Sequence, residues 1–146
     1  MTARPAIGDA MIEKACDLWL ESAEYRCILT SAAVANGEAI LESRSARQAT
    51  QKFAGLAADL GRMLTARGNH VHLIRPGLCS FPIKQYQWAS PSLQIIERSA
   101  RELCALIGGS KTLLPRPGCE AGELAWAEVA KALAFLPDNV ILVAGA

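Results

Sequence analysis

A continuous apolar run, NVILVA at Asn139–Ala144, lies close to the end of the sequence. A strand that is apolar on both sides has to be covered on both faces, as happens when helices pack against the two sides of a parallel sheet. A second compact apolar run, YRCILT at Tyr25–Thr30, has the length and content of a buried strand. The two runs therefore predict a central sheet that is covered on both faces.

Helical and strand patterns alternate along most of the remaining chain. Further strands are predicted at Met11–Cys16 (at the sheet edge), Val71–Ile74, Leu78–Pro82 and Thr112–Leu114. Helices are predicted at Arg44–Phe53, from Leu56 to the stop at Gly68-Asn69, from Leu93 (capped by Ser92) to Ile107, and at Glu123–Leu136. Asn36-Gly37 is a turn signal. The alternation predicts an α/β fold with a mostly parallel sheet and helices on both sides. We expect one domain over residues 11–146, preceded by a flexible arm at 1–10.

Composition narrows the function without identifying it. Fifteen basic and fourteen acidic residues leave a net charge of +1, which gives no direct sign of a nucleic-acid or membrane partner. The five cysteines include no CxxC pair, and no stretch reaches the 18 or so apolar residues of a membrane span. We therefore expect a soluble, cytoplasmic protein with reduced cysteines and no cofactor. His70 and His72 form an HxH pair, but no further ligand pattern accompanies them, so no metal site is predicted.

The stretch Leu113–Trp126, LLPRPGCEAGELAW, reads as a strand, a loop and the start of a helix. In an open α/β sheet such a loop lies at the carboxyl ends of the strands, where ligands usually bind. Cys119 precedes the predicted helix, which would lower its pKa, whereas the neighbouring Glu120 would raise it. With no assignable histidine partner, a nucleophilic cysteine is the less favoured interpretation. No HExxH, Walker, GxGxxG or GxSxG motif is present, and the sequence assigns no catalytic residue.

Several stretches together resemble one family. They are RGNHVHLI (Arg67–Ile74), SFPIKQYQW (Ser80–Trp88), LQIIERSARELCAL (Leu93–Leu106), LLPRPGCEAGELAW (Leu113–Trp126) and CDLW (Cys16–Trp19). In this order they look like the macro-domain-like proteins of phage and bacterial genomes. The resemblance implies a three-layer α/β/α fold with a mixed, mostly parallel sheet of about six strands. It also implies a cleft that binds ADP-ribose at the carboxyl ends of the strands.

The resemblance also implies a set of ligand-binding residues. Asp17 would bind the adenine amino group, and Arg44 would supply positive charge near the phosphates. Ser31 or Ala32 stands where the family has an asparagine after its second strand. The loop around the diphosphate and the distal ribose would contain Pro117, Gly118, Cys119, Glu120, Ala121 and Gly122.

The sequence departs from the family pattern in both phosphate loops. The glycine-rich first loop is replaced by LESRSA at residues 41–46. In the second loop, Glu120 and Glu123 stand where the family has glycines, so two carboxylates would face the diphosphate.

Three interpretations remain open at this point. The first is a module that binds ADP-ribose or a related NAD-derived nucleotide in a diverged pocket. The second is a pseudo-macro domain with a degenerate cleft that binds a protein partner. The third is a hydrolase that acts on ADP-ribosyl linkages or on ADP-ribose 1″-phosphate.

Overall fold

The computed structural model describes residues 11–144, so the arm expected at residues 1–10 lies outside the described part of the chain. The strands are β1 (Ile12–Ala15), β2 (Tyr25–Thr30), β3 (Val34–Ala35), β4 (Glu38–Ala39), β5 (Leu73–Arg75), β6 (Leu78–Pro82), β7 (Thr112–Pro115) and β8 (Val140–Ala144). The helices are α1 (Arg44–Lys52), α2 (Leu56–Arg67), α3 (Leu93–Ile107) and α4 (Trp126–Ala132). A single turn of 3-10 helix at Glu120–Gly122 precedes α4. None of these helices has the length and apolar character needed to cross a membrane.

Six strands form one sheet in the order β1-β8-β7-β2-β6-β5. All neighbours pair in parallel except β5, which runs antiparallel to β6. The predicted mixed, mostly parallel sheet of about six strands is therefore confirmed, with β1 at one edge as expected. Because the parallel strands share a direction, the carboxyl ends of β2, β7 and β8 lie at the same edge of the sheet.

Helices cover both faces of the sheet, which gives three layers. On one face, Ile28 of β2 packs in a cluster with buried residues of α1 and α2. On the other face, Cys27 and Leu29 of the same strand pack with residues of α3 and α4. Alternate residues of a strand point to opposite faces, so an uninterrupted apolar run can contribute to two cores.

The turn predicted at Asn36-Gly37 joins β3 and β4 into a hairpin outside the main sheet. Both residues have positive φ values, +53° and +78°, as a two-residue hairpin turn requires. The hairpin lies on α2, where a Cβ at Gly61 would be 2.2 Å from the Gly37 carbonyl oxygen. A side chain at position 61 would therefore separate the hairpin from the helix.

The last predicted helix, Glu123–Leu136, was too long at both ends. The observed α4 begins at Trp126 and ends at Ala132. Ala121 and Gly122 have positive φ values of +56° and +74°, which no continuous α-helix contains. Since Ala125 is also extended, the chain between the 3-10 turn and α4 forms a loop.

Candidate functional site

The amino end of α1 is attached to the carboxyl end of β2. The Leu29 N–H donates to Ser45 Oγ at 3.0 Å, and the Leu29 carbonyl accepts from Ser43 Oγ at 2.7 Å. Ser43 Oγ also accepts from the Ala46 N–H at 3.1 Å and so caps the helix. These bonds hold the positive end of the α1 dipole beside the carboxyl ends of the central strands.

A first cavity of about 200 Å³ opens at this junction. Its lining comes from the ends of β2, β7 and β8, from the start of α1 and from the loop after β7. The lining residues are Leu29, Arg44, Ser45, Pro115, Arg116, Cys119, Glu120 and Val143. A concave site at the carboxyl edge of a parallel sheet is the usual ligand position in open α/β folds.

Glu120 occupies the amino end of α1. Its Oε1 accepts a hydrogen bond of 2.8 Å from the Arg44 backbone N–H, which is the first amide of the helix. Helix amino termini favour anions because their first N–H groups have no partner within the helix. The carboxylate of Glu120 therefore stands in this protein where the oxygen of a bound phosphate could lie.

Arg116 and Cys119 complete the loop side of the first cavity. Arg116 Nε donates to Glu13 Oε2 at 2.5 Å, and the guanidinium lies 4.6 Å from the ring centre of Trp126. Burial raises the pKa of the Cys119 thiol, and the nearby Arg116 offsets this only in part. The thiol is therefore kept protonated near neutral pH, which argues against a nucleophilic cysteine.

A second cavity of about 90 Å³ lies on the other side of Glu120. It is lined by Leu29, Thr30, Ser31, Ile40, Glu42, Ser43, Ile83, Lys84, Glu120 and Glu123. Thr30 is only 5% exposed, and its hydroxyl oxygen has no hydrogen-bond partner in the described residues. Ser31 Oγ accepts from the Ala33 N–H at 3.2 Å. Since Glu120 lines both cavities, its side chain marks the boundary between them.

A third, open cavity of about 450 Å³ lies farther along α1 and contains Asp17. Its other lining residues are Trp19, Leu20, Gln48, Gln51 and Lys52. The exposed Asp17 carboxylate accepts from the Trp19 N–H at 2.7 Å, and the Trp19 indole N–H donates to Gln48 at 2.9 Å. These bonds fix the ring of Trp19 against α1.

The loop residues expected at the site divide into two groups. Cys119 and Glu120 line the first cavity, whereas Pro117, Gly118, Ala121 and Gly122 are not among the lining residues of the three cavities. Gly118 is buried against α3, where an added Cβ would lie 2.9 Å from a methyl group of Ile96. A packing role therefore accounts for the glycine at this position.

Sequence reasoning placed Arg44, Cys119, Glu120, Ser31 and Asp17 near a ligand, and each of them lines a cavity. It did not select other lining residues, among them Thr30, Glu42, Ser43, Ser45, Lys84, Gln48 and Gln51. The end of the YRCILT run and the cap at the start of α1 were signals that could have identified Thr30, Ser43 and Ser45.

The two histidines make separate contacts. His72 Nε2 donates to the Gly68 carbonyl at 2.9 Å, and His70 Nδ1 lies 2.8 Å from a Glu102 carboxylate oxygen. Burial acts to raise the pKa of Glu102, but hydrogen bonds from the Val71 N–H and His70 hold that pKa below its usual value. Residues 11–144 contain no cluster of three or more side chains that could hold a metal ion.

Comparison with solved structures places this arrangement among known folds. The macrodomain of Mycobacterium tuberculosis DarG has a TM-score of 0.74 at 17% identity, over 91% of this chain and 97% of that one. The chain has the macrodomain fold. The macrodomain of Thermus aquaticus DarG matches it with a TM-score of 0.70 at 18% identity, over 91% of this chain and 96% of that one.

A third similar structure is that of Thermosipho africanus DarTG in complex with ADP-ribose. Its TM-score is 0.66 at 14% identity, over 89% of this chain and 40% of that one. No protein-family model and no curated protein matches the sequence. The macrodomain architecture is thus established by the fold.

Proposed function

We propose that the protein binds ADP-ribose or a closely related NAD-derived nucleotide. The observation that carries this proposal is the row of three cavities along α1. Gln48 and Lys52 line the third cavity, Arg44 lines the first, and the residues just before the helix line the second. With a rise of about 1.5 Å per residue, Arg44 and Lys52 are about 12 Å apart along the helix axis. The row therefore suits an extended ligand made of several linked groups.

The lining residues suggest which group each cavity takes. In the third cavity, Asp17 can accept a hydrogen bond from the adenine amino group beside the ring of Trp19. In the first cavity, Arg44, Arg116 and the amino end of α1 suit a diphosphate, which would compete with Glu13 for Arg116 and with Glu120 for the first amide of the helix. In the second cavity, Thr30 and Ser31 line the space that the distal ribose would occupy.

The structural neighbours add independent support. The protein in one of them, Thermosipho africanus DarTG, was solved with ADP-ribose bound. The carboxyl edge of the sheet is the usual ligand position in an open α/β fold, and the three cavities here include residues of that edge.

A second candidate function is protein binding by a cleft that no longer takes a nucleotide. The Glu120 carboxylate already occupies the first amide of α1. The first and second cavities, about 200 and 90 Å³, are smaller than the roughly 300–1,000 Å³ of ordinary ligand pockets. Leu20 and Trp88 are 85% and 82% exposed, so apolar surface is available to a partner.

Calorimetric titration with ADP-ribose separates the two functions. If the protein binds ADP-ribose, the titration should release heat with a dissociation constant in the micromolar range. This corresponds to about 8 kcal/mol of binding free energy. Asp17→Ala should weaken that binding about tenfold, because it removes a charged hydrogen-bond acceptor. Asp138→Ala, the same change at an exposed residue of a turn, should leave it unchanged. Absence of heat up to millimolar ADP-ribose would reject nucleotide binding and leave the protein-binding function.

A further inference from the structure

The charge of the lining changes sign between the first and the second cavity. The first cavity has the guanidinium groups of Arg44 and Arg116 against the carboxylate of Glu120. The second has three carboxylates against one ammonium group, from Glu42, Glu120, Glu123 and Lys84. The Lys84 ammonium donates to the Gln87 carbonyl at 3.0 Å, within its own loop. The Arg116 guanidinium is already paired with Glu13, which offsets part of the positive charge of the first cavity. By Coulomb's law, the excess of carboxylates makes the second cavity attract a cation.

Thr30, which lines the second cavity, has an unused hydroxyl group. Thr30 is 95% buried, being only 5% exposed, and its Oγ1 has no hydrogen-bond partner among residues 11–144. A buried hydroxyl without a partner is costly, and a hydroxyl group of a bound sugar would satisfy it. The cavity therefore offers a contact for a sugar and a negative surface for whatever the sugar carries.

On the basis of the proposed function, we propose that the second cavity selects ADP-ribose derivatives with a positively charged group on C1″ of the distal ribose. The order of the cavities along α1 places the diphosphate at the first cavity and the distal ribose at the second. A substituent on C1″ then lies beside the carboxylates of Glu42 and Glu123. The pyridinium of NAD⁺ and the guanidinium of ADP-ribosylated arginine both have this chemistry.

Calorimetric titration of the intact chain with NAD⁺ and NADH tests the charge directly. The two ligands share the adenine, the diphosphate and both riboses, and they differ in the charge of the nicotinamide ring. We expect NAD⁺ to bind about tenfold more tightly than NADH. This is the effect of one unit charge on the ring about 6 Å from a carboxylate in a partly screened site. Glu123→Gln removes one of the three carboxylates, so the ratio should fall. In Glu128→Gln, the same change on an exposed residue of α4, it should persist.

A second pair of ligands distinguishes the two sources of the cation. One peptide carries ADP-ribose on arginine, and the same peptide with serine at that position carries it through a neutral linkage. Preference for the arginine form supports a protein side chain as the source, and preference for NAD⁺ alone supports the dinucleotide. Equal affinities within both pairs, or a preference that Glu123→Gln leaves unchanged, would overturn the inference.

Titration with ADP-ribose itself separates this inference from the proposed function. If ADP-ribose binds and neither pair is discriminated, only the charge selection is wrong. If ADP-ribose does not bind, the proposed function is wrong and the charge selection is rejected with it.

Discussion

Replacing Glu120 by glutamine should strengthen binding of ADP-ribose while slightly weakening the fold. Glutamine keeps the shape of the side chain and removes its charge. A diphosphate at the first amide of α1 would have to displace the Glu120 carboxylate, which now accepts a 2.8 Å hydrogen bond from that amide. The displaced carboxylate would remain about 5 Å from the phosphates and would repel them. At an effective dielectric constant near 20, each phosphate charge would be repelled by about 3 kcal/mol, and solvent screening reduces this to roughly 1.5 kcal/mol at the open cleft.

Affinity for ADP-ribose should therefore rise about tenfold or more, as measured by calorimetric titration at low and high salt. The gain should shrink at high salt, since screening weakens the repulsion that the substitution removes. The same change removes a carboxylate from the positive end of α1, which should cost about 0.5 kcal/mol of unfolding free energy in denaturant titrations. Glu120→Ala, which also vacates the amide, should bind at least as tightly as Glu120→Gln.

The matched control is Glu128→Gln, which changes neither the cavities nor the start of α1. An affinity for ADP-ribose that Glu120→Gln leaves unaltered or weakens would refute the argument that this carboxylate opposes the ligand. A gain of the same size in Glu128→Gln would also refute it, because the effect would then come from net charge.

Three further perturbations test other parts of the structure. Ser45→Ala should lower the unfolding free energy in denaturant by about 1–3 kcal/mol, because it leaves a buried N–H of β2 without an acceptor, whereas Thr50→Ala at an exposed position of α1 should cost far less. Glu102 has a lower pKa in the folded than in the unfolded chain, so its stabilising contribution is present above the usual carboxyl pKa of 4.5 and is lost as the pH falls through the folded-state value. The stability difference between wild type and Glu102→Gln should therefore shrink on acidification; a constant difference would contradict a Glu102 pKa lowered by the Val71 N–H and His70. Cys119 should be alkylated at neutral pH more slowly than a free thiol, as read by peptide mapping, since burial raises its pKa.

Much of the architecture could be predicted because local patterns carry it. The apolar run at Tyr25–Thr30 matches β2 residue for residue, and the helix predicted from Ser92 matches α3. The strand is a continuous apolar run, and the helix has a strong hydrophobic period; both have clear end signals. In both elements, local preference and tertiary packing therefore agree. Where no such agreement exists, as at Glu123–Ala125 and Leu133–Leu136, the predicted helix was too long.

The candidate site could be predicted only in part, because it is assembled from distant segments. Asp17, Arg44 and Glu120 are far apart in sequence and line neighbouring cavities along one helix. The sequence showed that two glutamates replace glycines in one loop, but it could not show that they have different surroundings. In the structure, Glu120 reaches across 76 positions to the Arg44 amide, while Glu123 lines the second cavity.

The sequence by itself determined the covered parallel sheet, the order of most elements and the macrodomain resemblance, since these follow from hydrophobic period, end signals and short motifs. Only the tertiary structure decided which charged side chains lie close to one another. Side-chain contacts between the end of β2, the start of α1 and the loop after β7 depend on how the layers pack. That packing is a long-range property that no local pattern records.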